Sequence, residues 1–272
     1  MEPHKYLSPA LLFAGSLLGI HAFTWPLYLP DSTFFLFQPD AARALSLLIA
    51  TIAVGIIALD ISAEVLDSKS VALLGVLSAL IAALRLVGAG AIGVEPMWFL
   101  LITASFVFGA RFGFSLGVIS LGVSALLTGG IGPWLPFQML AAGWIGVFAG
   151  GMGALSRSQS LSAQRIILVA VGILTSLTFG VLMDLQLWPW IAGTDLQLSY
   201  VAGNSILDNL QRFFAFHFAT ALAWDLPRAL TTSVLIAVTS VPIMKSLRRA
   251  QTKLNLTSHV KAQTANARSF QR

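Results

Sequence analysis

The chain has 272 residues, of which 57% are hydrophobic and only 10% charged, with 23 glycines, no cysteine and a net charge of +5. Soluble domains carry about 45–50% apolar residues and about 25% charged ones, so a water-soluble globule is excluded, and so is intrinsic disorder, which needs low hydrophobicity and high charge. The apolar runs are continuous and do not alternate with period two, which excludes a transmembrane barrel and predicts an all-α, polytopic helical membrane protein.

The first segment, "MEPHKYLSPALLFAGSLLGIHAF", has a thin basic region and no small-x-small cleavage site before Trp25. It is read as a first span and not as a cleavable signal. Apolar runs follow one another at 8–29, 43–62, 70–87, 97–110, 113–128, 134–155, 165–187 and 226–244. Most have the ~17–25 residues that a span needs. Counting 97–110 and 113–128 separately gives eight spans, with both termini on one side. That side receives Lys5, Lys69, Arg111, Arg157, Arg165, Lys245, Arg248, Arg249, Lys253, Lys261, Arg268 and Arg272, while the other receives Arg43, Arg85, Arg212 and Arg228. The positive-inside rule therefore predicts cytoplasmic termini. The basic balance reflects topology and does not imply a nucleic-acid partner.

Residues 188–225 form the longest non-spanning stretch, on the outer side. Ile206, Leu207, Leu210, Phe213, Phe214, Phe218 and Leu222 recur at helical spacing within 204–223, which predicts an amphipathic helix lying in the interface. A long external segment of this kind serves as a lid or binding loop. The polar, basic tail is expected to be unstructured and close to anionic inner-leaflet lipid. The predicted organisation is a two-helix N-terminal membrane extension (1–69), a six-helix membrane core (70–249) and a basic cytoplasmic tail (250–272).

Several chemistries have no support in the sequence. There is no G-x-x-x-x-G-K-[ST] loop for ATP and no H-E-x-x-H. The histidines at 4, 21, 217 and 259 have no metal-ligand spacing, so no metal or cofactor is expected. An intramembrane serine hydrolase would need a histidine at depth, for which His21 is the one candidate. Arg85, Glu95, Asp184, Asp225 and Arg228 all fall near outer span ends, so no mid-depth proton relay is visible. The expectation is a binding protein and not an enzyme. Asp184 and Asp225 fit two roles: ligand contacts, or structural partners of Arg85 and Arg228.

Two features point to binding. "FGARFGF" (108–114) reads as an inward glycine turn, with Gly109 and Gly113 supplying the tight backbone. "TGGIGPWLPFQ" (128–138) reads as an outward one. The latter is either a plain interhelical turn or a loop presenting Trp134 and Gln138 to a ligand. Trp25, Trp98, Trp134, Trp188, Trp190 and Trp224 all fall on the outer side. They suit an interfacial aromatic belt or an aromatic-lined pocket. Small residues recur every fourth position at Gly75, Ala79 and Ala83, and at Gly146, Gly150 and Ala154. Such stripes serve internal packing or the docking of another membrane subunit.

The stretches "VALLGVLSALIAALRLVGAG", "FGARFGFSLGVISLGVSALLTGGIGPWLPFQMLAAGWIGVFAGGMGAL" and "WDLPRALTTSVLIAVTSVPIMKSLRRA" resemble the substrate-binding S components of energy-coupling factor (ECF) vitamin transporters. The likeness covers roughly 70–247 and is nearest to actinobacterial S components assigned to cobalamin. The first two spans lie outside the usual six-helix unit. The resemblance implies a bacterial plasma-membrane protein that binds a vitamin-like small molecule near the outer surface, without hydrolysing ATP. It also implies a membrane T component and two ABC-type ATPase subunits as partners, with Gly75, Ala79 and Ala83 matching the small-residue stripe that packs on the T component. The expected ligand site gathers Glu95, Trp98, Trp134, Gln138, Trp190, Tyr200, Asn204 and Trp224, with cobalamin as the first ligand to consider. A membrane structural or assembly protein and an intramembrane enzyme are the alternatives.

Overall fold

Long runs of leucine, alanine, valine and isoleucine satisfy their own backbone hydrogen bonds only as helices when water is absent. The computed structural model describes residues 4–27, 39–62, 68–88, 92–191 and 197–269, and its regular elements are all helical. In chain order they are α1 (His4–Thr24), a 3-10 turn (Trp25–Leu27), α2 (Pro39–Ser62), α3 (Ser68–Val87), α4 (Met97–Phe108), α5 (Ala110–Thr128), α6 (Leu135–Leu155), α7 (Leu161–Ile191), α8 (Ile206–Thr220) and α9 (Leu222–Ser269). Of these, α3, α5, α6, α7 and α9 are long and apolar enough to cross a membrane, as a helical membrane protein requires. Shorter apolar helical stretches lie at 12–27, 47–58 and 97–108. With 12 residues α4 is about 18 Å long, well short of a ~30 Å hydrocarbon core. Each of the eight apolar runs coincides with a helix. Residues 28–29 of the first run, 63–67 of the link before α3 and 192–196 of the outer segment lie outside the described residues.

The most closely packed helix pair is α5–α6. Gly113 and Gly146 face each other so closely that a Cβ on either would overlap the other's carbonyl oxygen, and a Cβ on Gly117 would overlap that of Ala142. Small residues here let two backbones meet. A Cβ on Gly153 would strike the Phe106 carbonyl of α4, so α6 has α5 and α4 on adjoining faces. Gly146 and Gly150 of the second small-residue stripe are thus used internally. Gly113 belongs to the regular turns of α5. The chain breaks between α4 and α5 at Gly109 alone, whose φ of 96° no L side chain adopts readily.

The two N-terminal helices share the core cluster of the bundle. Phe23 is fully buried and packs edge-on to Phe137 at 5.2 Å between ring centroids. Trp144 Nε1 donates to Ser16 Oγ at 2.9 Å. Ala22, Ile49, Ala53, Ile56 and Ile57 join the same cluster as Leu101, Phe114 and Leu140.

At the end of the bundle where α4 joins α5, Arg248 donates to Gln164 Oε1, and Gln251 Nε2 donates to the Val107 carbonyl at 3.3 Å. The expected unstructured tail is instead a continuation of α9 to Ser269. Beyond Pro242 this stretch holds no proline or glycine and is rich in alanine, arginine, lysine and leucine, so nothing in it stops a helix already nucleated.

Candidate functional site

The C-terminal ends of α3 and α7 and the N-terminal ends of α4, α6 and α9 converge at one end of the bundle. Between them lies a cavity of about 430 Å³, lined by Arg85, Glu95, Trp98, Gln138, Asp184 and Arg228 together with Leu121, Phe179, Met183, Leu187, Thr220, Trp224 and Asp225. Arg111, Arg157, Arg165, Lys245, Arg248, Arg249 and Lys253 all lie toward the other end of the helices.

The wall is built on one organising ion network. Arg228, buried near the start of α9, donates from Nη1 to Asp225 Oδ1 at 2.6 Å and from Nε to Glu95 Oε2 at 3.0 Å. Its Nη1 also lies 3.4 Å from the Ser176 carbonyl, and its guanidinium sits 5.2 Å over the Phe179 ring. Glu95 is held a second time by Trp98, whose Nε1 donates to Oε2 at 2.5 Å. Trp98 is buried and packs on Phe179 at 4.5 Å. A carboxylate that accepts an indole N–H and a guanidinium N–H is fixed in direction, and such charge-assisted bonds are the strong ones.

Two glycines make this arrangement possible. Gly93 has φ of 66°, and a Cβ there would collide with the Trp224 backbone, so the loop carrying Glu95 lies directly against the start of α9. A Cβ on Gly180 would overlap the Asp225 carboxylate. Asp225 therefore occupies the notch that this glycine leaves on α7.

The segment 197–220 packs against this end. α8 begins at Ser205, whose Oγ accepts from the Asp208 amide at 3.1 Å and donates to Asp208 Oδ2 at 2.8 Å, an N-cap of the usual kind. Asn209 is buried and clamps the preceding loop by bonding both the amide and the carbonyl of Val201, at 3.2 and 3.0 Å. Trp188 Nε1 donates to the Leu198 carbonyl at 2.7 Å. His217 of α8 meets Asp184 of α7 at 2.9 Å through Nδ1, and its Nε2 faces Asp225 Oδ2 at 3.9 Å, too long for a hydrogen bond.

Of the eight residues expected to line a ligand site, Glu95, Trp98, Gln138 and Trp224 are brought together around the cavity. Trp190 and Tyr200 lie in a neighbouring aromatic cluster with Trp25 and Trp188, at centroid distances of 5.5–6.1 Å. Burial pushes the Tyr200 phenol above its ordinary range. Trp134 is 42% exposed and folds its ring over Gly132. Asn204 is exposed at the turn before α8. The amide with a structural job in this segment is Asn209 instead.

The pairing of the ionisable residues differs in part from expectation. Asp225 pairs with Arg228, but Asp184 takes His217, and Arg85 takes neutral partners. Arg85 donates to Gln138 Oε1 at 3.3 Å and to Ser124 Oγ at 3.4 Å. Arg85 and Arg228 are cavity residues that sequence reasoning had not offered as ligand contacts, and Asp184 and Asp225, for which it left both roles open, line the cavity too. Their signal was their rarity, since ionisable residues near or within apolar spans mark function by default.

No group of three metal-ligating side chains exists among the described residues. Comparison with protein-family models, curated proteins and solved structures gave no match.

Proposed function

We infer that the protein captures a small metabolite from the outer side of a bacterial plasma membrane, as the substrate-binding subunit of an ECF-type importer. The observation that carries this reading is the cavity of about 430 Å³ with aromatic walls and a few oriented polar groups. Ligand pockets of about 300–1,000 Å³ have this composition. The site would act by non-covalent binding. Energy for uptake would come from two partner ATPases through a membrane T component.

The distribution of lysine and arginine supports an outward-facing cavity with cytoplasmic termini. Gly75, Ala79 and Ala83 are exposed along one face of α3, and a Cβ on Gly75 would meet nothing within 4 Å. An uncovered stripe of small residues suits close approach by another membrane helix. The cavity volume suits a vitamin-sized ligand of a few tens of non-hydrogen atoms. Cobalamin is several times larger, and its binding would require the outer segment to move away.

The test is mass spectrometry of small molecules released from protein purified from its native membrane, with and without the candidate partner subunits. A single metabolite retained in stoichiometric amount supports capture. Purified protein that holds no metabolite and responds to none in titration overturns it.

A further inference from the structure

The charges around the cavity are not equally engaged. Arg228 is ion-paired with both Glu95 and Asp225 and is held further by the Ser176 carbonyl and the Phe179 face. Arg85 is different. It lines the same cavity from the end of α3, is half-buried, and forms no ion pair among the described residues. Its two bonds, at 3.3 and 3.4 Å, go to the uncharged Gln138 and Ser124 and lie beyond the usual 2.7–3.2 Å range. A guanidinium has five N–H donors in a planar fork, so most of its capacity is open. Gln138 Oε1 accepts from Arg85, and its amide NH₂ makes no hydrogen bond among the described residues, which leaves two donors on a residue that lines the cavity.

Another part of the lining, on α7, has the complementary character. Asp184 uses Oδ2 for His217, and its Oδ1 has no partner among the described residues. Two guanidiniums and three carboxylates line the cavity, and Arg228 is already paired with two of the carboxylates, so Arg85 is left to balance one negative charge and a dianion such as a phosphate monoester would bring one more than it balances. A planar monoanion matches the fork of Arg85 and the amide of Gln138. A donor elsewhere on the same molecule would match Asp184.

Resting on the capture reading above, we propose that the ligand is a small organic monocarboxylate carrying a hydrogen-bond donor at its other end. Its carboxylate is held by Arg85 and Gln138, and its donor faces Asp184. Arg85 is then the specificity-determining residue of the site, and Arg228 is the strut that shapes it.

Trp98 and Trp224 give the cavity its own optical reporter. Detergent-purified full-length protein is titrated with nicotinate, 4-aminobenzoate, biotin and pantothenate, each beside its neutral carboxamide, while tryptophan fluorescence is followed. At least one acid should give saturable binding, with its carboxamide about tenfold or more weaker, as expected for loss of a charge-assisted pair. Arg85→Gln should abolish that preference and Arg85→Lys should restore part of it, both at unchanged elution profile. Carboxamides bound as tightly as acids, in a protein that does bind, overturn the carboxylate assignment and leave the capture reading standing. The same holds if the acid preference survives in Arg85→Gln. A protein that binds neither acids nor amides overturns the assignment, and the capture reading then stands or falls on the metabolite analysis above. The wild-type comparison of acid with amide does not depend on the variants folding.

Discussion

His217 Nδ1 lies 2.9 Å from Asp184 Oδ2 and joins α8 to α7 across 33 residues of chain. His217 is buried and Asp184 is partly so, with its free oxygen available to the cavity. The contact is the polar bolt that holds the amphipathic helix over the cavity end. The stacking of His217 with Phe213 at 6.0 Å is its apolar complement.

Removing the bolt should therefore loosen the outer segment and leave the bundle intact. His217→Ala is expected to cost about 1.5–3 kcal/mol locally, the range for a hydrogen bond to a charged group. Hydrogen exchange should rise across 198–220 and remain unchanged in α5 and α6. Uniform loss of protection throughout the bundle would assign His217 to global stability instead.

The Asp225 notch on α7 gives a second expectation. Gly180→Ala places a methyl group where the Asp225 carboxylate lies, and that carboxylate cannot retreat without giving up Arg228. Overpacking of this kind costs about 1–3 kcal/mol, and displacing Asp225 would leave a buried cation short of a partner. Thermal stability in detergent should fall clearly. Gly75→Ala, at a position with open space around it, is the control that should change little.

Much of the fold was legible because bilayer physics is blunt. Long apolar runs between charged ends have few alternatives to helices, and the amphipathic spacing from Ile206 to Leu222 anticipated α8. The site was legible only in part. Glu95, Trp98, Gln138 and Trp224 stood out as polar or aromatic groups at outer ends. The engagement of Arg85 with Gln138, 53 positions apart, depends on how α3 and α6 both pack on α5, and a single sequence does not encode that visibly. Trp190 and Tyr200 carried the same signal as Trp98, yet they stack with Trp25, a residue of the N-terminal extension. The role of Asn209 was hidden for a related reason: Asn204 and Asn209 are alike in sequence, and only the fold of the loop decides which amide faces Val201.

The tryptophans can be separated by experiment. Trp224 lines the cavity, whereas Trp134 folds over Gly132 in the turn between α5 and α6. Trp224→Ala should weaken ligand binding by about 2 kcal/mol or more, roughly thirtyfold, as truncation of a large binding anchor does. Trp134→Ala should leave affinity within about twofold, because it removes a ring that contacts its own turn and the interface. Equilibrium binding to detergent-solubilised protein measures both. Equal losses in the two variants would mean that the ligand reaches out to the turn at 128–138.

The face of α3 provides the last expectation. Gly75, Ala79 and Ala83 are exposed, while Leu74, Leu77, Ser78, Ile81 and Ala82 point into the bundle. A bulky residue on the exposed side has room within this chain, so Ala79→Leu should fold normally and bind ligand with unchanged affinity. A partner helix packed against that stripe would meet the leucine side chain at the point of closest approach, where small residues are needed. Co-purification with the membrane partner should therefore fall several-fold, and uptake with it. The informative measurement is the pair of readouts together. Lost uptake with retained binding identifies α3 as the docking face. Unchanged uptake and co-purification would show that the stripe faces only lipid and that partner contact lies elsewhere on the bundle.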